Sequence, residues 1–73
     1  MKNKIRLDTH TDAIRFAQIV SALGGQITVT DGVNHRVNAK SVLGMLYALE
    51  FEELWVESEN DIYRSIEEFI ITE

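Results

Sequence analysis

Two stretches of the chain combine residue types at spacings that permit chemistry. In DTHTDA, Asp8 to Ala13, a histidine stands just before an apolar-periodic run. An imidazole changes charge near neutral pH and can carry a phosphoryl group. A helix starting beside it favours anions, because its first amides have no partner within the helix. Thr11, Asp12 and Ala13 would offer those amides to an anion. Asp12 works against this, since two like charges about 4 Å apart repel by roughly 1 to 4 kcal/mol, depending on the effective dielectric. It also has a structural use, because an acidic residue in a first helical turn complements the macrodipole. His10 is therefore either a chemical group or simply part of the loop into a helix.

The second stretch is VNAKSVLGML, Val37 to Leu46. Ser41 at a helix start is ordinarily a cap. Beside it stand Val42, Leu43 and Leu46. Those three are either core or an exposed apolar patch. His35 and Arg36 read as a solvated strand edge. The two histidines lie far apart without carboxylates at ligand spacing, so no metal is expected. There is no paired nucleophile and base and no phosphate-cradling glycine loop, so the chain is read as neither an enzyme nor a cofactor carrier.

Seven short elements must position these groups. KIRL alternates as a half-buried strand, with Ile5 and Leu7 on one side. Ala13, Phe16, Val20 and Leu23 then recur at helical spacing from Asp12 to Leu23, with Thr9 or Thr11 as cap and Gly24 and Gly25 as the stop. Ile14 points away from that stripe and joins the candidate patch. Ile27 and Val29 face inward on the next strand, and the DG turn sends the chain back through Arg36 to Ala39. A short helix follows from Ser41 to Leu49, then a strand in EELWVES with Trp55 facing away from Leu54 and Val56. SEND has capping-box spacing between Ser58 and Asp61, ahead of a stripe of Ile62, Ile66, Phe69 and Ile70.

The order β-α-β-β-α-β-α predicts an α+β fold, an open-faced β-sandwich with a four-stranded, mostly antiparallel sheet and three helices on one face. The 73 residues form one domain, with no linker or repeat. There is no cysteine, so packing alone must hold it. No apolar run reaches the length of a membrane span, and MKNKIRLD lacks the apolar centre of a secretory signal, so a cytoplasmic protein is expected. Twelve acidic residues against seven basic ones give a net charge of -5, which disfavours nucleic acid as a partner.

VNAKSVLGML resembles the segment of the histidine-containing phosphocarrier (HPr) family written V-N-x-K-S-[IL]-[ML]-G, which carries a regulatory serine. The element order resembles that family over most of the chain. The resemblance implies a role in the sugar phosphotransferase system, a kinase acting on Ser41, and docking of partner enzymes on Val42, Leu43 and Leu46 next to Ile14. Counted back from VNAKS without a gap, His10 falls on the family's phospho-accepting histidine. A one-residue adjustment brings Ala13, Phe16, Val20 and Leu23 onto the core positions. The family's G-[IL]-H-A-R-P motif places an arginine and a helix-starting proline at the phosphate, whereas this chain reads TDA.

The leading expectation is an HPr-like regulatory or protein-binding module with a degenerate phospho-histidine motif, meeting phosphotransferase enzymes or a regulatory kinase. A working carrier, in which His10 takes a phosphoryl group from phosphoenolpyruvate through enzyme I, is the alternative. A third reading is a self-associating module using Trp55 and the open sheet face. A monomer or weak homodimer is expected.

Overall fold

The computed structural model describes residues 1–72; Glu73, the last residue of the expected domain, lies outside them. Its elements are β1 (Lys2–Ile5), α1 (His10–Ser21), β2 (Ile27–Thr30), β3 (Arg36–Asn38), α2 (Val42–Ala48), β4 (Leu54–Ser58) and α3 (Tyr63–Ile66), followed by a 3-10 turn over Glu67–Phe69. The strands form one sheet in the order β1-β4-β2-β3, every pair antiparallel. The fold is thus α+β, with an open four-stranded antiparallel sheet and three helices.

Strand alternation decides which side chains meet the helices. Ile5, Ile27, Val29, Leu54 and Val56 turn to one face, where they form a single core with Ala13, Phe16, Ala17 and Val20 of α1, Met45 and Ala48 of α2, and Ile62, Ile66 and Phe69. Phe16 is fully buried and meets the Phe69 ring edge-on, with centroids 5.2 Å apart and planes at 82°. Such a pair adds roughly 0.5 to 1.5 kcal/mol beyond the area it buries. It fastens the C-terminal turns to α1.

The other sheet face carries Lys2, Lys4, Trp55, Glu57, Thr28 and Arg36, in cross-strand register. Trp55 lies there as expected, half-buried, with Lys2 and Lys4 Nζ 5.6 and 5.9 Å from its ring. Gly32, at φ +84°, turns the β2–β3 loop in a left-handed conformation, and a Cβ there would lie 3.4 Å from the indole edge. No described helix is long and apolar enough to cross a membrane.

Several boundaries correct the sequence reading. β1 ends at Ile5, and Leu7 is buried just beyond it, after the Arg6 amide donates to the Phe69 carbonyl at 2.9 Å. α1 runs from His10 to Ser21 instead of Asp12 to Leu23, because Thr9 takes the cap. The amides of Ala22 and Leu23 close the last turn on the carbonyls of Ile19 and Val20 at 3.2 and 3.0 Å. The turn expected at DG is a five-residue loop, and β3 stops at Asn38, one residue before Ala39.

Ser58 and Asp61 form no capping box. Sheet pairing claims Ser58 as the last residue of β4, opposite Ile27, and its amide donates to the Met1 carbonyl at 2.9 Å. The Asp61 carboxylate instead accepts from the Tyr63 amide at 3.0 Å. α3 is consequently a single α turn, and Ile70 leaves the expected helical stripe to bridge Ile5 as an extended residue.

Candidate functional site

At the start of α1 the chain caps itself. Thr9 is extended at φ -136° and ψ 166°, its Oγ1 accepting from the Asp12 amide at 3.1 Å. Its carbonyl accepts from the Ala13 amide at 3.2 Å, and the Asp12 carboxylate accepts from the Asp8 amide at 3.1 Å. Of the three amides considered for anion binding, those of Asp12 and Ala13 are therefore engaged inside the helix start. His10 is the first helical residue and is exposed, and its ring makes no hydrogen bond among the described residues.

The cations of this region already have carboxylate partners. Arg6 Nε donates to Asp8 at 2.9 Å, and Arg15 donates to Glu68 while lying over the Phe69 ring, 5.3 Å from its centroid. Asp8 and Asp12 stand two residues to either side of His10 in the chain, whereas a phosphate site calls for cations. Both acidic groups have structural work in the fold, one in an ion pair and the other on the amide preceding the cap.

The Val37 to Gly44 segment is built around Ser41. The Asn38 side chain accepts from the Lys40 amide at 3.0 Å, and its carbonyl from the Ser41 amide at 3.0 Å. Ala39 is fully buried, and Lys40 Nζ reaches the Leu23 carbonyl at 2.7 Å beyond the end of α1. Ser41 is the N-cap of α2, its Oγ accepting from the Gly44 amide at 3.0 Å. A Cβ on Gly44 would lie 3.2 Å from the Asn38 carbonyl, so this close approach of helix and strand favours glycine.

Beyond this cap α2 turns large apolar side chains to water. Leu43 is 79 % exposed, Tyr47 54 % and Val42 39 %. Leu46, expected in the same patch, is half-buried and packed against the core, and Ile14 on the neighbouring α1 is half-buried. Sequence reasoning missed Tyr47, although it stands four residues after Leu43 and so one turn along the same helix.

Compared with known protein families, curated proteins and solved structures, the chain matches none. The site must therefore be read from its own chemistry.

On the open sheet face the charges answer one another. Arg36 donates to Glu57 at 2.7 Å and to Thr28 at 2.8 Å, and Lys4 donates to Glu53 at 3.0 Å. The Arg36 hydrogen bond holds the Glu57 carboxyl below its usual range, and the Lys4 hydrogen bond does the same for Glu53. The half-buried Trp55 ring has the ammonium groups of Lys2 and Lys4 over it.

His35 is not the plain strand edge that its neighbours suggested. Its Nδ1 lies 2.8 Å from Asp31 Oδ2, and its ring leans on Phe51 with centroids 5.7 Å apart. Asp31 Oδ1 accepts from the amides of Val33, Asn34 and His35 at 2.8, 3.0 and 3.1 Å. These bonds, led by the Val33 amide, hold the Asp31 carboxyl well below the usual carboxylate range. Among the described residues no three metal-ligating side chains gather.

Proposed function

We propose that this chain is an HPr-like domain related to the sugar phosphotransferase system, acting as a regulatory or protein-binding module through α2. The VNAKSVLGML segment and the β-α-β-β-α-β-α order support the family reading. The exposure of Leu43, with Val42 and Tyr47 on the same short helix, carries the binding reading. Adjacent large apolar side chains in water favour association, because a partner that covers them removes their apolar surface from solvent. Ser41 lies two residues before Leu43. A phosphate on its Oγ would bring about -1.5 to -2 charges to the edge of that surface and weaken an apolar partner's hold.

The phosphohistidine site is degenerate in this reading. Asp8 and Asp12 flank His10, the two arginines nearby are held by carboxylates, and two of the three candidate amides are used by the cap. Mixing the 15N-labelled chain with phosphotransferase enzyme I and phosphoenolpyruvate tests the proposal. The expected result is a shift of the α2 amides, abolished by Leu43→Ala, with the His10 ring unmodified. Silence across α2 removes the binding reading.

A working phosphocarrier is the second reading, favoured by the exposed ring of His10 at the first position of a twelve-residue helix. It requires an acid-labile phosphohistidine that forms quickly and is absent from His10→Ala.

A further inference from the structure

The apolar face of α2 continues past the helix into a row of rings. Tyr47 meets Phe51 edge-on, with centroids 5.7 Å apart and planes at 84°, and Phe51 carries the tilted His35 ring at the same spacing. The Asp31 turn holds His35 there. Leu43, Tyr47, Phe51 and His35 thus make one strip, built by a helix and a loop remote from it in sequence.

Two carboxylates flank Phe51 in the chain. Glu50 and Glu52 are exposed, and among the described residues neither joins an ion pair. Glu50 directly follows Leu49, the C-cap of α2, and the last turn of that helix holds no basic residue. A helix C-terminus is the negative end of the macrodipole, so a carboxylate beside it is destabilising until a cation arrives. The cations that line a common pocket with Phe51 and Glu52 are committed elsewhere, Lys4 to Glu53 and Arg6 to Asp8. An ammonium or guanidinium from outside would answer both carboxylates and sit favourably over the face of Tyr47 or Phe51.

We propose that this strip docks a basic segment of a protein partner, with apolar side chains laid over Leu43 and an arginine or lysine over the Tyr47 and Phe51 rings between Glu50 and Glu52. The inference rests on the docking role of α2 proposed above and adds the partner's charge to it.

Two short amphipathic peptides of the same apolar pattern, one Leu/Lys and one Leu/Glu, test it by titration into the 15N-labelled chain. The Leu/Lys peptide should move the amides of residues 43–52 and 33–35. Its affinity should fall about tenfold or more in the Glu50→Gln, Glu52→Gln double variant. It should stay unchanged in Glu67→Gln, a control for acidic charge elsewhere. An unchanged affinity in the double variant overturns the inference. Equal binding of the Leu/Glu peptide to the same amides also overturns it, while leaving α2 as a docking surface. If neither peptide moves residues 42–52, the inference and the docking role both fall.

Discussion

Thr9 and Asp12 together close the start of α1: the Asp12 amide donates to Thr9 Oγ1, and the Asp12 carboxylate accepts from the Asp8 amide just ahead of the cap. The same carboxylate that anchors the helix is the one that would repel a phosphate on His10. Local stability and phosphoryl chemistry therefore compete at one residue.

Substitutions can separate the two effects. Thr9→Ala should cost about 1 kcal/mol of stability by removing the cap hydrogen bond, read from urea denaturation. Asp12→Asn keeps an acceptor for the Asp8 amide but removes the charge. Any His10 phosphorylation by enzyme I and phosphoenolpyruvate should therefore be faster in Asp12→Asn than in the unaltered protein. An equal or slower rate would show that the Asp12 charge does not limit transfer.

Ser41 has a parallel structural duty. Ser41→Ala should destabilise the fold by about 1 kcal/mol, whereas Ser41→Gly should cost only a few tenths, because glycine is tolerated at an N-cap. No loss in either variant would show that the hydroxyl contact with the Gly44 amide contributes little.

Core and surface divide sharply among residues that look alike in sequence. Phe16→Ala should lose about 3 to 5 kcal/mol, since it empties a fully buried site against Phe69. Leu43→Ala should stay within about 0.5 kcal/mol, as expected of a side chain mostly in water. Paired thermal melts measure both. A large loss at Leu43 would mean that it packs into the fold and is no docking residue.

Much of this architecture was legible because periodicity is a local signal. Ala13, Phe16 and Val20 repeat at helical spacing, Ile27 and Val29 alternate, and all five are buried. What escaped depends on contacts distant in sequence. Ser58 has the type and spacing of a cap, yet pairing with Ile27 keeps it in a strand. Leu43 and Leu46 are the same residue type on one helix, and only the packing of α2 separates the exposed one from the half-buried one. Tyr47, Phe51 and His35 come together only once the β2–β3 loop has folded over the end of α2.

That loop should register in the pH dependence of stability. Three backbone amides and the His35 ring all favour the charged form of Asp31, so its folded-state pKa lies below the ordinary carboxylate value of about 3.9. A group depressed in this way contributes stability that is fully present above its unfolded value and is lost as the pH falls through the ordinary range towards the folded one. Asp31→Asn retains a carbonyl acceptor but carries no charge. Its melting temperature should therefore lie below that of the unaltered protein at pH 7, and the gap should narrow steadily as the pH drops below about 4. A gap that stayed constant through that range would assign the turn's stability to hydrogen-bond geometry instead of charge.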